Sequence, residues 1–347
     1  MDRVTWIHAD ENLTELRVLE LITGADMQTD ISADAQLIDN TWSMTLPEAV
    51  WAENPIREGH HIYAAGTEWG GPVTMIRHQT AEGTITLQGP TWRGLLHQKR
   101  IIPPAGEGYL AFTNTDANAM IRQVVGSSFG SLITTTDADA GVLVSASFRY
   151  QSLAQGLQKA LHSVGMRLDV AFDQAIPGVV LSAQPVDDWT DIVEISQDYS
   201  VDFTSQIGNV ELANHCLALG SGELAERMVL NVYRVGQNYY LNRPESLSEA
   251  EVRTVLLDYP NAEDEEDLLK NAVDRLQEAA PAQSITVDQL RIDVSAELGD
   301  MIPVRDRLTG LVAVSEISNK ILSIQDGVTT VSVKVATVAT EAGDTDE

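Results

Sequence analysis

Apolar residues alternate with polar ones at period two near both ends of this chain, and helical spacing occurs only between those ends. Trp42, Met44 and Leu46 alternate with Thr41, Ser43 and Thr45, and Ile85 and Leu87 alternate with Thr84 and Thr86. Far downstream, Val331, Val333 and Val335 alternate with Ser332 and Lys334 behind an Asp326-Gly327 hairpin signal. A period of two places one set of side chains on one face of a strand, so each stretch must bury that face against another layer. Short strands at this spacing, with turns at Glu58-Gly59, Gly70-Gly71-Pro72 and Glu82-Gly83, predict a small barrel or sandwich.

The intervening region reads differently. Ala117, Met120, Ile121, Val124 and Val125 fall on one helical face, with Thr115 or Asp116 as N-cap. Leu153, Leu157, Ala160, Leu161 and Val164 form a second such face, closed by Gly165 where a left-handed residue belongs. Alternation resumes at once through Met166, Leu168, Val170 and Phe172, with 179–183 as a partner strand. Strand patterns come next at 192–196, 201–204, 215–219 and 228–233, with Gly220-Ser221-Gly222-Glu223 as a turn. Ser246-Leu247-Ser248-Glu249 has capping-box spacing and predicts a helix. Leu268, Leu269, Ala272, Val273 and Leu276 predict another, whose acidic start at 263–267 suits the positive end of a helix dipole. Leu290, Ile292 and Val294, then 312–317 and 321–325, return to strand.

The expected class is therefore α+β and β-rich, with two β-barrel-like domains and α/β modules between them. The division is 1–104 (first barrel), 105–188 (α/β module), 189–213 with 285–339 (second barrel), 214–284 (α+β insertion) and 340–347 (flexible acidic tail). The double proline Pro103-Pro104 is a stiff exit from the first of these.

Charge and composition narrow the function. The 347 residues carry 22 Lys+Arg against 51 Asp+Glu, a net charge of −29, which opposes binding to a run of phosphates. Apolar residues reach 44%, enough for packed cores. Residues 1–10 show no secretory signal, and no apolar run is long enough to span a membrane. The single cysteine, Cys216, excludes an intrachain disulfide.

Catalytic constellations are weak. The seven histidines include no HExxH, and adjacent His60 and His61 on a strand would face opposite sides, which favours exposed loop residues over a metal site. Neighbouring His215 and Cys216 would likewise point apart, and a buried free cysteine is usually a small hydrophobe. Asp187-Asp188 and Asp198/Asp202 can be drawn as a glycosidase pair, yet nothing sets their separation. The run 263–267 lacks the ligand spacing and glycine of a calcium loop. No catalytic residue, cofactor or metal is expected. Trp6, Trp42, Trp51, Trp69 and Trp92 crowd the first hundred residues; they serve a barrel core or, through Trp51 and Trp69, a carbohydrate-stacking surface.

The β-rich start, the exit Gly94-Leu95-Leu96-His97-Gln98-Lys99-Arg100-Ile101-Ile102-Pro103-Pro104, the Gly220–Glu223 turn before an Arg227-led strand, and Leu298-Gly299-Asp300 together resemble siphophage minor tail proteins. The resemblance is to Tal-type baseplate hubs, in particular the ReqiPepy-type tail family of phages infecting actinobacteria. It covers nearly the whole chain in order. It implies a non-enzymatic virion protein at the tail tip. Three copies would close a ring that joins the tail tube to tip proteins. DNA would pass through the ring without being bound, repelled by acidic walls. Implied partners are the distal tail, tape-measure and receptor-binding proteins. The chain ends about ten residues after its last strand pattern, which leaves no room for the lytic extension that many such proteins carry.

Arg93, Leu95, Leu96, Ile101 and Ile102 are the candidate interface, with sealing of their own barrel as the equal alternative. A host-envelope carbohydrate-binding module and a cell-wall hydrolase remain the other function classes.

Overall fold

The computed structural model describes residues 4–189, 202–207, 212–222, 224–236, 238–262, 264–280, 282–290, 296–306, 308–309, 312–325 and 327–341. Strand outweighs helix, 42% to 19%, so the β-rich α+β class holds. The chain forms two compact units. The first comprises Met1–Phe203, Val287–Arg307 and Val314–Ala336; the second comprises Thr204–Thr286, Leu308–Ala313 and Thr337–Glu347.

In the first unit, a four-stranded sheet runs in the order Glu15–Leu19, Trp6–Ala9, His61–Tyr63, Gly70–Pro72. A second sheet includes, in order, Val328–Glu341, Val312–Gln325, Gly24–Asp30, Thr41–Pro47, Thr84–Pro90 and Met75–Gln79. The alternation at 41–47 turns Trp42, Met44 and Leu46 inward, opposite Gly89, Leu87 and Ile85. Met27, Leu322 and Ile324 complete the same core. Two glycines are required here by close approach. A Cβ on Gly71 would lie 2.0 Å from the Pro90 carbonyl oxygen, and one on Gly89 would lie 1.9 Å from that of Pro72.

The C-terminal hairpin pairs antiparallel with Gly24–Asp30, from Asn319 opposite Asp30 to Gln325 opposite Gly24. The first and last β sections therefore share a sheet, and no strand path among the described residues closes into a barrel. The expected two separate barrels are therefore not shown by the described strands. Alternation dictates which face of a strand is buried but not which strand it pairs with.

Between 116 and 185 the expected helices and strands form. Asp116, rather than Thr115, caps helix Ala117–Val125; its Oδ1 accepts from the Asn118 and Ala119 amides. Ser152 caps helix Leu153–His162, and Gly165 takes φ 69° after it. Strand Met166–Asp173 pairs antiparallel with Gly178–Pro185, which pairs parallel with Ile133–Thr135. Its core, with Leu157, Leu161, Leu168 and Phe172, is continuous with Tyr63, Trp92, Leu96 and Ile101.

The second unit holds the sheet Asn238–Tyr240, Val229–Val235, His215–Leu219, Thr254–Asp258. Helix Glu265–Glu278 covers it through Leu268, Ala272 and Leu276, capped by Asp264. The helix expected after Ser246 is one 3-10 turn, Glu249–Glu251, with the capping box shifted to Ser248 and Glu251. Val252 returns at once to extended backbone and the chain enters Thr254–Asp258. The patterns at 192–196 and at Ile292 and Val294, like most of the tail 340–347, lie outside the described residues.

Candidate functional site

Helix Trp92–His97 carries most of the predicted interface and faces inward. Thr91 accepts the Gly94 amide at 3.2 Å and donates its hydroxyl to the Asn40 carbonyl at 3.1 Å, which fixes the helix start on the sheet. Trp92, Leu96 and Ile101 are buried, Leu95 is half-buried and Arg93 is 5% exposed. Only Ile102, 68% exposed, stands free at the surface. Arg93, Leu96 and Ile101 are thus buried within their own chain.

Arg93 is the start of a buried ionic network. Its Nε donates to Glu68 Oε2 at 2.9 Å and its Nη2 to the Leu168 carbonyl at 2.8 Å. Lys320 Nζ lies 3.4 Å from Glu68 Oε1 and also binds Glu297. Burial opposes charge on Glu68, yet Lys320 and Arg93 outweigh it and hold its carboxyl below the usual range. Burial likewise works against the Lys320 ammonium, and Glu68 and Glu297 overcome it, raising its pKa. At Glu297 burial wins and the carboxyl is pushed up. Alongside, Arg167 Nε lies 3.2 Å from Asp300 Oδ1, and Asp300 accepts the Asp187 and Glu297 amides. These residues come from six separate stretches of sequence, so the network acts as a clasp. Arg93 and Leu168 also line a small cavity, together with Asp30, His97 and Gln158.

The tryptophans obey the same logic. Trp69 is 5% exposed, with Lys320 Nζ 5.5 Å from its ring centre. Trp51, on helix Glu48–Glu53, is half-buried and donates its indole N–H to the Ile56 carbonyl at 3.3 Å. Trp69 is therefore buried beside Lys320 of the clasp.

The histidines are a second correction, since His60 and His61 are buried rather than exposed. His61 donates from Nδ1 to the Asp10 carbonyl at 3.0 Å. His60 Nδ1 and His8 Nε2 share a hydrogen bond of 2.8 Å. Burial, then the neighbouring His60 and Arg17, push the His8 pKa down to about 4. No group of three metal-ligating side chains occurs among the described residues. His8 carried no signal in sequence, because its partner lies 52 positions away.

Cys216 and His215 point apart. Cys216 is buried, and its thiol is pushed up to about 11 by burial. His215 bonds Thr254 Oγ1 at 2.9 Å and Asn231 Oδ1 at 3.1 Å and stacks on Tyr233. An inert thiol and a satisfied imidazole make no dyad. Of the carboxylate candidates, Asp187 contributes its amide to Asp300, while Asp198 lies outside the described residues. Of the acidic run, Glu263 is also outside, and Asp264 is the helix cap.

No family model matches the sequence, and no curated protein sequence does. Solved structures do. The chain is similar to the 43 kDa tail protein of prophage MuSo2 from Shewanella oneidensis, with a TM-score of 0.51 and 13% identity over 96% of this chain and 98% of that one. It is similar to a chain of the p2 virion baseplate in its activated conformation, with a TM-score of 0.51 and 10% identity over 99% of this chain and 100% of that one. The fold is that of phage tail and baseplate proteins.

Proposed function

We propose that this chain is a structural protein of a phage tail tip, a baseplate hub of which three copies close a ring between tail tube and tip proteins. The observation that carries the proposal is the end-to-end likeness, 96–99% of this chain and 98–100% of the tail and baseplate chains it resembles. A shared fold of that extent includes the inserted modules as well as the sheets. The Tal-type, actinobacterial-phage assignment belongs to the same proposal, as do virion location at the tail tip, host attachment through tip proteins, and docking to distal tail and tape-measure proteins. The reading assigns no catalysis. A net charge of −29 per copy suits a ring whose walls repel passing DNA. Two barrel-like β regions, and the division at 104, 188, 213 and 284, are carried as its domain-level expectations, with limited proteolysis as their check.

Native mass by light scattering, together with particle imaging, tests the ring. A species of about 113 kDa, three times 37.8 kDa, with a central hole supports it. A chain that is absent from purified virions, by antibody labelling of tail tips, refutes the assignment outright.

A further inference from the structure

Positive charge in this acidic chain is concentrated in one stretch. Residues 84–168 hold seven of the 22 Lys+Arg and only four of the 51 Asp+Glu, a net +3 against −32 for the rest. Of those four acids, Asp116 is engaged by the backbone amides of Asn118, Ala119, Ala140 and Gly141, and Asp137 pairs with Arg122. Arg93 and Arg167 are buried in the clasp. Lys159 on helix Leu153–His162 is exposed, as are Lys99, Arg100 and Arg149, and these last three form no ion pair with a described residue.

The fold gathers those three. Ile101 and residues 150–151 exchange backbone hydrogen bonds of 2.9 Å, and Arg100 bridges to Ser152. Strands Leu110–Asp116 and Leu143–Phe148 pair with Leu110 opposite Phe148, which brings Tyr109 beside Arg149. The Arg149 guanidinium lies 5.6 Å from the Tyr109 ring centre and 5.7 Å from that of Tyr150. Tyr150 is 61% exposed at φ 57°, a backbone region costly for a bulky side chain. Ile102 lies beside them. Arginine, tyrosine and an exposed aliphatic residue are the composition of interface anchors.

We propose that this face, Lys99, Arg100, Ile102, Tyr109, Arg149 and Tyr150, docks on an acidic surface of a second copy of the chain. The argument for that occupant is charge. Two copies at −29 repel one another on average, and at this cluster of unpaired cations the approach of an acid-rich surface gains Coulomb energy. The contact joins unlike surfaces, the head-to-tail type that closes rings. It rests on the hub reading and supplies one of its contacts.

The test is zero-length carbodiimide coupling in an equal mixture of heavy-isotope-labelled and unlabelled full-length protein, with light scattering in parallel. The expected result is mixed-isotope adducts joining Lys99 to an acidic peptide. Arg149→Glu, and separately Arg100→Glu, should weaken association about tenfold. So should about 0.5 M salt, where the screening length falls to roughly 4 Å. Thermal unfolding matched to wild type shows that the variants fold. Wild-type and Arg149→Glu oligomers of equal strength, with adducts elsewhere, overturn this inference and leave the ring reading intact. A patch that binds polyphosphate while the chain stays monomeric overturns the second-copy occupant in favour of an anionic polymer. A chain that stays monomeric and binds neither overturns the inference, and its absence from virion tips would refute the hub reading independently.

Discussion

Lowering the pH from 7 to 5 should loosen the first unit through His8. In the folded chain this imidazole is sealed against His60, with Arg17 and Asp10 as the nearest other charges and Glu11 3.7 Å from His60. Its pKa falls from 6.5 to about 4. A histidine whose folded pKa is depressed contributes stability that is complete above 6.5 and is lost as the pH falls toward 4. The full difference is worth about 3.4 kcal/mol, and about 2 kcal/mol of it is lost by pH 5. Relaxation of the site around a protonated imidazole reduces the expected loss at pH 5 to about 1 kcal/mol. Burial also lowers His61, His97 and His215, which titrate in the same sense, while Glu297 and Glu316 are pushed up and act oppositely. The measurement is therefore a difference: urea unfolding of wild type and His8→Gln at each pH from 7 to 4.5, monitored by tryptophan fluorescence. The wild type should lose about 1 kcal/mol more than the variant between pH 7 and 5. Parallel pH profiles for the two proteins would refute the lowered pKa of buried His8.

The clasp and the crossing of the sheets lead to two further outcomes. Arg93→Met strands Glu68 with only Lys320 beside it and should cost about 3–5 kcal/mol by urea unfolding; a loss below about 1 kcal/mol would mean the network does not clasp. Gly71→Ala drives a methyl group into the Pro90 carbonyl and the Trp42 indole and should cost about 3 kcal/mol, whereas Gly83→Ala, which meets no neighbour but sits at φ 63°, should cost only about 1 kcal/mol. Equal losses in the two would remove close sheet approach as the reason for Gly71.

The legible parts of this fold were those written locally. Trp42, Met44 and Leu46 announced their strand and its buried face, and the caps Asp116 and Ser152 bracket helices whose apolar faces recur every three to four residues. Ser246 misled because a capping box guarantees only one turn. Whether a helix continues depends on the next residues and their partners, and here the chain turns extended at Val252 and from Thr254 enters a strand beside His215–Leu219.

Sequence alone determined the β-rich class, the helices carrying Met120, Leu157 and Ala272, the improbability of a Cys216 nucleophile and the charge of −29. It could not determine that Asn319 pairs with Asp30, that Lys320 meets Glu68, or that His8 meets His60, since these partners lie 52 to 289 positions apart. Periodicity and capping act within a few residues and are visible in a string of letters. Pair formation across such distances is decided by which buried faces and charges can be satisfied together, and only the folded chain decides that. For the same reason Arg93 and Arg149 look alike in sequence, yet one is locked inside by Glu68 and the other is left at the surface between two tyrosines.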